Sequence, residues 1–508
     1  MLKKLLGVAL VLAMVAVFAA PASAADFSFG GWYRLRAIAA DNQDRLDTLP
    51  QSVGARDNVR YTDSTFFLNF NASQGDDVAG FVQIKAPEFQ QVWGNGGLQF
   101  GDGAFGGGTT PSSGTSTFDA IGNVYWLQFK VPFLGQPWFI RAGLDDIPLP
   151  KGIIAFLPFF KETGFQVFGN AGPDLALRAE AFKRGEGEIQ NEDDDSVYTL
   201  RGTYSGLRNV SVTLYEVLQF KNRASTTAAN FSDYWTGLSA QGRYGRFNST
   251  LDFVYLTGEW EYSAAGEATT GSDTGKTVDQ RDQNVNAYVI WLTGGVTLGP
   301  VNLTAQYLEA SGDKDQEDNT QNQFYGIGCQ TSDSFFTGGC DARVLGPTQL
   351  WFGNKGGRHN DGLIAGSRDV GGNTGGAGGR YSRGNGNRVF AFDGSVKVHQ
   401  DVTLNGTLGF IWSQHARPDL SAKGTNPFVD DTYIGTEIDL NVAWTLYPGF
   451  LLEGDVQYLA AGDYGILQTK IAGQDQVTGA TPLPGSVTRL TNENDDAWQA
   501  MFTMQWFF

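Results

Sequence analysis

The end of the chain, residues 496–508, alternates between apolar and mostly polar side chains. One side of an extended strand carries Trp498, Ala500, Phe502, Met504, Trp506 and Phe508, and the other carries Gln499, Met501, Thr503, Gln505 and Phe507. A period of two predicts a β-strand. The first face is too apolar for a sheet edge in water, and the second is too polar for the core of a sandwich. Lipid on one side and water on the other suit both faces.

The start of the chain has the pattern of an export signal. Lys3 and Lys4 precede an apolar run over residues 5–20, and Ala22-Ser23-Ala24 has the A-x-A form of a cleavage site. This order predicts a secretory signal peptide over residues 1–24, with residues 25–508 as the mature chain. The apolar run is shorter than the roughly 20 residues that a membrane-spanning helix needs.

The composition predicts strands and turns rather than helices. The chain contains 67 Gly, 13% aromatic residues and only four Met, which is typical of β proteins. Loss of the leader removes two Lys and takes the formal charge from -18 to -20, and this acidic balance argues against a nucleic-acid partner. Because no linker or break in composition divides the chain, we predict one closed sheet over residues 25–508.

The number of strands follows from the alternation together with a parity rule. Seventeen strands are clear in the sequence, but a bacterial barrel with both termini on one side needs an even number. We therefore predict one more strand over residues 163–169, with Phe165 and Val167 facing outward. The strand over residues 210–220 has the least regular alternation. The prediction is an all-β fold, an antiparallel transmembrane barrel of about eighteen strands with long extracellular loops and short periplasmic turns.

The third predicted surface loop, residues 146–162, is unusually apolar. It contains Ile153, Ile154, Phe156, Leu157, Phe159 and Phe160. Six large apolar side chains need cover from water. We predict that this loop folds into the barrel and narrows it; packing on the barrel rim or at a subunit interface is the alternative.

The longest connection, residues 311–387, contains the two cysteines of the chain. Cys329 and Cys340 lie in a polar, glycine-rich stretch, and export into an oxidising compartment favours a disulfide between them over two free thiols. No C-x-x-C spacing indicates zinc. We predict an extracellular loop, and an uncommonly long one is either functional or partly disordered. The sequence leaves open whether it covers the mouth, enters the pore or reaches a neighbour.

Residues for catalysis are few. The three histidines are His359, His399 and His415, and none stands beside a serine elbow or at a metal-ligand spacing. Two carboxylate pairs occur, Glu437 with Asp439 and Glu453 with Asp455. A glycosidase needs a saccharide cleft around such a pair, whereas the inner face of a barrel is polar in any case. We predict no enzymatic activity, no metal and no cofactor.

Charged residues on the predicted inner faces divide by position along the chain. Early strands contribute basic residues, which are Arg34, Arg36, Lys85, Lys130, Arg141, Arg178, Arg201 and Arg243. Later strands contribute acidic residues, which are Asp252, Asp393, Glu437, Asp439, Glu453 and Asp455. Glu180 and Lys397 are exceptions. Because the two halves of a closed barrel face each other, we predict a basic wall opposite an acidic wall. The alternative is that these charges only keep the lumen wet.

Several segments resemble known families. Val131-Pro132, Ile140-Arg141-Ala142-Gly143-Leu144 and Pro148-Leu149-Pro150, together with the leader and the aromatic terminus, resemble the outer-membrane homotrimeric porins of sulfate-reducing bacteria. The terminus is also similar to the assembly signal of bacterial outer-membrane barrels. The resemblance implies Trp506 and Phe508 as that signal, barrel-assembly machinery and outer-membrane lipid as partners, a homotrimer, and passive diffusion of small hydrophilic solutes.

A weaker similarity concerns the C-terminal strands. Ile434-Gly435-Thr436-Glu437-Ile438-Asp439-Leu440, Tyr458 and Gly462-Asp463-Tyr464 resemble alginate-export-type barrels of eighteen strands. That similarity implies an arginine-lined channel for an anionic polysaccharide, which the acidic C-terminal strands and the net charge do not favour. We therefore expect a porin of the bacterial outer membrane. A substrate-specific or polysaccharide-export channel, and a structural or surface-binding barrel with a recognition loop, are the alternatives.

Overall fold

A computed structural model describes most of the strands and part of the connections. The described residues are 26–41, 59–93, 121–131, 137–146, 149, 153, 161–185, 195–221, 230–261, 283–312, 320–327, 348, 386–415, 432–462, 468–471, 488–491 and 496–508. No helix long and apolar enough to cross a membrane occurs among them.

The described residues form twenty-one strands. In chain order they are β1 (Asp26–Asp41), β2 (Val59–Gln74), β3 (Val78–Trp93), β4 (Ile121–Val131), β5 (Trp138–Asp146), β6 (Lys161–Asn170), β7 (Leu175–Gly185), β8 (Asp195–Leu207), β9 (Val210–Lys221), β10 (Asn230–Tyr244), β11 (Phe247–Glu261), β12 (Gln283–Leu298), β13 (Val301–Ala310), β14 (Thr320–Gln321), β15 (Asn387–His399), β16 (Val402–Ser413), β17 (Tyr433–Tyr447), β18 (Phe450–Ala461), β19 (Gln468–Ile471), β20 (Thr488–Thr491) and β21 (Ala497–Phe507).

Eighteen of these strands form one closed antiparallel ring. Each pairs with its neighbour in the chain, and β21 closes the ring by pairing with both β18 and β1. At the closure Tyr33 lies opposite Trp506, and the backbone N–H of Gly31 donates to the terminal Phe508 carbonyl at 2.9 Å. The short β14 pairs in parallel with β12, and β19 and β20 pair with each other in a separate sheet. The predicted eighteen-stranded all-β barrel is confirmed.

The strand that parity predicts is β6. It extends the predicted residues 163–169 by two residues at one end and one at the other, and it pairs with β5 and β7. Phe165 and Val167 are exposed on its outer face, as predicted. Without β6, β5 and β7 would be parallel neighbours, and a short turn can join only antiparallel neighbours.

Short turns connect the strands at one end of the ring. The turn from β8 to β9 holds Asn209 at φ 63°, and that from β10 to β11 holds Gly245 at φ 58°. Asn and Gly are the residues that adopt this left-handed conformation most readily. The left-handed conformation matches the twist of the two strands that a tight hairpin joins. Both the N-terminal end of β1 and the end of β21 lie at this end of the ring.

The two faces of the ring differ in the residues they expose. Large apolar side chains such as Leu200, Leu214, Leu440 and Phe502 point outward and are exposed. Alternate residues point inward and are buried, and they include charged residues such as Glu437. An apolar outer row with a charged inner row is the arrangement of a barrel that lipid surrounds.

Candidate functional site

The inner face of β4–β8 carries a connected network around two arginines. Arg141 Nη1 donates to Asp145 Oδ2 at 2.7 Å, and its Nη2 donates to Gln128 Oε1 at 2.8 Å. The guanidinium lies 3.8 Å from the centroid of the Trp126 ring, within cation–π range. Asp145 also accepts a bond of 2.9 Å from Gln166 Nε2. Arg141 is therefore held by a carboxylate, an amide and a ring.

The second arginine has the same kind of surroundings. Arg178 Nε donates to Glu180 Oε1 at 2.5 Å, and its Nη2 donates to Gln166 Oε1, which links the two arginines through one amide. Thr199 Oγ1 donates to the other oxygen of Glu180. Arg201 lies directly opposite Arg178 in the register of β7 and β8. Three predicted basic residues thus come together, and Glu180, an exception in the sequence, lies among them.

The inner face of β15–β18 carries carboxylates with neutral partners. Asp393 accepts bonds from Gln306 Nε2 at 2.5 Å and from Thr407 Oγ1 at 2.8 Å. Glu453 accepts from Gln505 Nε2 at 2.8 Å. On β17, Glu437 and Asp439 are both buried.

Two asparagines connect these carboxylates to β16. Asn441 Nδ2 donates to Asp455 Oδ1 at 2.8 Å, and Asn405 Nδ2 donates to Asn441 Oδ1 at 2.7 Å. These bonds join β16, β17 and β18 across the inner face. The five predicted acidic residues on β15–β18 therefore share one side of the lumen.

Strand order places these two groups opposite each other. β7 is the seventh strand of the ring, and β17 is the sixteenth, because β14 is not part of it. Nine of eighteen steps is half of the circumference. Arg178 and Asp439 consequently stand on opposite sides of the lumen.

Arg34 and Arg36 do not belong to the basic side. Ring closure puts β1 next to β21, so that Arg36 lies opposite Thr503, and Thr503 lies opposite Glu453 on β18. These arginines therefore lie beside the acidic residues rather than across from them. The assumption that each half of the chain forms one wall fails at the seam, because closure makes the first and last strands neighbours.

The remaining predicted charges are scattered. Lys130 pairs with Asp77 at 3.0 Å near a short turn, and Arg243 is exposed near the turn of β10. Lys85 is part of β3, but its side chain lies outside the described residues. Asp252 is fully buried on β11, opposite Ser239 and Trp291 in register.

An apolar inner wall on β9–β13 was not predicted. Its buried members include Val217, Trp235, Val254, Leu256, Val285, Ala287, Val289 and Leu308. The sequence signal was present, since β11 and β12 are apolar on both faces near their centres. A strand that is apolar on both faces indicates cover on both sides, and here the inner cover comes from the chain itself.

Residues 320–327 provide that cover. Tyr325 lies against two inward tryptophans: Trp235 Nε1 donates to the Tyr325 carbonyl at 2.9 Å, and Trp260 Nε1 donates to its hydroxyl at 3.1 Å. The hydroxyl in turn donates to Asp233 Oδ1 at 2.9 Å. Phe324 and Ile327 are fully buried in the same apolar cluster. Part of the predicted extracellular loop 311–387 thus lies inside the ring.

Between the end of β5 and the start of β6, the predicted constriction loop is described at Leu149 and Ile153. Both are buried and belong to the same apolar cluster as Phe182 of β7 and Val197 of β8. The other predicted members, Ile154, Phe156, Leu157, Phe159 and Phe160, lie outside the described residues, as do Cys329 and Cys340.

The described histidines have ordinary surroundings. His399 is the last residue of β15, with Nδ1 3.5 Å from Asp401 Oδ2. The Ser413 hydroxyl donates to the carbonyl of His415, and His359 is outside the described residues. Within the described part of the chain, no group of three His, Cys, Asp or Glu side chains could hold a metal ion.

A charged residue lies on the outer face near the centre of β9. Glu216 is the seventh of the twelve residues of β9 and points outward between Leu200 of β8 and Thr236 of β10. Its Oε2 accepts a bond of 2.8 Å from Thr236 Oγ1. This carboxyl is the reason that the alternation of residues 210–220 is irregular.

Comparisons with known proteins give a fold but no family. No family model matches the sequence, and no curated protein matches it. The solved structure of OccK8 (OprE) from Pseudomonas aeruginosa is 12% identical, with 95% of this chain and 98% of that chain covered and a TM-score of 0.50.

Two further solved structures have lower scores. The outer membrane protein opdK from Pseudomonas aeruginosa is 10% identical, with 95% of this chain and 98% of that chain covered and a TM-score of 0.49. A BenF-like porin from Pseudomonas fluorescens Pf-5 is 11% identical, with the same coverage and a TM-score of 0.48.

These structures are neither porins of sulfate-reducing bacteria nor alginate-export barrels, which are the groups that the sequence resembled. The chain shares its fold with OccK8 (OprE) from Pseudomonas aeruginosa.

Proposed function

We propose that this protein is a porin of the bacterial outer membrane that conducts small hydrophilic solutes and ions. The observation that carries the proposal is the closed ring of eighteen strands with exposed apolar residues outside and charged residues inside. Such a ring leaves no strand edge in lipid and keeps its polar groups in contact with water. The protein then needs no cofactor and performs no covalent chemistry.

Two segments narrow the lumen in this proposal. Leu149 and Ile153 represent the apolar loop 146–162, and Phe324 and Tyr325 represent the connection 311–387; all four are buried with the inner wall. The proposed constriction includes Ile154, Phe156, Leu157, Phe159 and Phe160. Because two segments of the chain reach the interior in this proposal, a substrate-specific channel is the second candidate.

Export and assembly complete the proposal. Residues 1–24 act as the cleaved signal peptide, and the outward Trp506 and Phe508 of the closing strand serve the barrel-assembly machinery. The subunits form a homotrimer, and Cys329 and Cys340 form a disulfide. Chemical crosslinking of the protein in its membrane would test the trimer, and thiol labelling without a reductant would test the disulfide.

Planar lipid bilayers test the function directly. The purified protein is expected to insert and give stepwise ohmic current. Block by one class of solute would favour the substrate-specific candidate, and deletion of residues 153–160 is expected to raise the single-channel conductance. Complete silence from folded, inserted protein would contradict the proposal and favour a structural or surface-binding barrel.

A further inference from the structure

We propose that the ring of Phe508 is a latch that keeps the folded barrel closed between β1 and β21. This role lies beyond the proposed channel function. It is also separate from recognition by the assembly machinery, because the latch acts in the finished barrel. A backbone pair, a glycine and a ring contact together form the latch and join three strands.

The seam between β1 and β21 closes the ring without a turn. It runs from Trp32 opposite Phe507 to Asp41 opposite Trp498, and it joins the first strand of the ring to the last. A short turn keeps two neighbouring strands close when their hydrogen bonds break, so that the bonds re-form at little entropic cost. The seam has no such turn, and lipid offers no replacement for its broken bonds. We therefore expect the ring to open first at this seam.

Phe508 adds one more backbone pair to the seam. The Gly31 N–H donates to the Phe508 carbonyl at 2.9 Å, and the Phe508 N–H donates to the Gly31 carbonyl at 3.1 Å. Such an exchange of two bonds is that of a hydrogen-bonded antiparallel pair. A Cβ at Gly31 would lie 2.8 Å from Cζ of the Phe508 ring and 2.2 Å from the Phe67 carbonyl oxygen. The absence of a side chain at Gly31 therefore leaves the space in which the ring lies.

The Phe508 ring reaches across β1 to β2. Its centroid lies 6.0 Å from that of Phe66, with 17° between the ring planes, and 5.1 Å from that of Trp506 on its own strand. Phe66 lies opposite Tyr33 of β1, so the contact joins β21 to β2 over β1. Aromatic pairs at such distances stabilise by more than the area they bury, and an aromatic ring over a strand glycine fixes the register. The seam cannot open without breaking this contact.

The neighbouring residue Phe507 makes a contact of shorter reach. Its ring centroid lies 6.4 Å from that of Trp32, which is its direct partner in register. That contact joins β21 to β1, whereas the contact of Phe508 extends to β2.

The experiment measures the unfolding rate of the full-length protein after refolding into phosphatidylcholine vesicles without assembly machinery. Urea is added, and the heat-modifiable folded band on gels is followed with time. Phe508→Ala and Phe66→Ala are each expected to unfold about tenfold faster, because each removes one ring of the stacked pair. Both changes together are expected to stay well below the roughly hundredfold effect of independent sites. Phe508→Tyr keeps the ring and is expected to unfold at the wild-type rate.

Phe502→Ala is the matched control on the same face of β21. Phe502 is 50% exposed and Phe508 43%, but the cross-strand partners of Phe502 are Ala37 and Gly454, which have no ring. The control is expected to unfold at close to the wild-type rate.

A disulfide across the seam locates the effect. Leu35→Cys and Met504→Cys stand opposite each other in register, at a spacing that a disulfide spans. The other cysteines are removed by Cys329→Ser and Cys340→Ser. In this oxidised background Phe508→Ala is expected to unfold no faster than its parent, because the seam can no longer open.

The matched disulfide joins Leu408→Cys of β16 to Ile438→Cys of β17 and is expected to leave the effect of Phe508→Ala intact. An effect that persists with the seam crosslinked, or equal rates in Phe502→Ala and Phe508→Ala, would overturn the latch. If Phe508→Ala does not refold, Phe508→Leu and Phe66→Ala give the same test. Single-channel conductance is expected to be the same in all refolded variants, so failure of the latch leaves the proposed channel standing.

Discussion

The inner faces of β10–β12 and β16–β18 differ although the strands have the same architecture. The first carries Trp235, Leu256 and Val289, and it is covered by residues 320–327. The second carries Asp439, Asn441 and Asp455, while Leu440 and Val456 cover the outside. Alternation along a strand thus defines two faces, but what each face meets depends on the segments that fold into the barrel.

On the outer faces of the two regions the order of polarity is reversed, because β9–β12 carry the more polar residues there. Outside β9–β12 lie Glu216, Thr236 and the bonded pair Tyr255 and Asn286. Outside β16–β18 the central residues are aliphatic or aromatic. The strands with the most apolar inner wall are therefore the ones with the most polar outer wall. The following variants test how this difference affects the free energy of unfolding and the channel current.

The largest effect is expected from Trp235→Ala. The side chain is fully buried and donates to the Tyr325 carbonyl, so its loss leaves a cavity and loosens residues 320–327. We expect a loss of about 3–5 kcal/mol in the free energy of unfolding and a higher single-channel conductance. Urea titration in bilayers, followed by the folded band on gels, measures the first. Trp444→Ala on the outer face is the control, and an equal loss there would show that the inner wall has no special role.

The next largest effect is expected from Leu440→Lys. Leu440 is the eighth of the fifteen residues of β17 and points outward, so the substitution puts an ammonium into the centre of the apolar band. The expected cost is about 2–4 kcal/mol in the same urea titration. Ala443→Lys points inward opposite Glu453 and is expected to cost little. Similar losses for both variants would contradict the assignment of the faces.

Tyr325→Phe is expected to have a smaller effect. It removes only the hydroxyl that donates to Asp233 and accepts from Trp260. We expect a loss of about 1–3 kcal/mol and more frequent current fluctuations, because residues 320–327 lose part of their attachment. Tyr255→Phe removes one exposed hydroxyl on the outer face of β11 and is the control. Quiet currents in both variants would show that these bonds do not hold the segment in place.

The smallest effect is expected from Glu216→Gln. The amide keeps an acceptor for Thr236 and removes a charge from the apolar band. Because carboxylates cost less there than ammonium groups, we expect a gain of about 1 kcal/mol in the free energy of unfolding. Glu259→Gln, exposed at the far end of β11, is the control and is expected to be neutral. A loss of stability in Glu216→Gln would mean that something other than lipid covers this face.

Most of the fold could be predicted from the sequence, because a barrel strand needs only its own alternation and a turn at each end. The parity rule even recovered β6, whose signal is short. The inner position of Arg141 and of Asp439 follows from the same alternation. The alternation could not show that Asp145 and Glu180 neutralise the basic side, since those contacts join strands and depend on register.

The sequence by itself determined the class of fold, the number of strands and the side of each strand that faces outward, because these depend on the period of two. Only the tertiary structure decided which charges meet. Closure put Arg36 beside Glu453 instead of across from it, and residues 320–327 turned inward to cover an apolar wall. Both results depend on contacts between residues far apart in the chain, which no local pattern encodes.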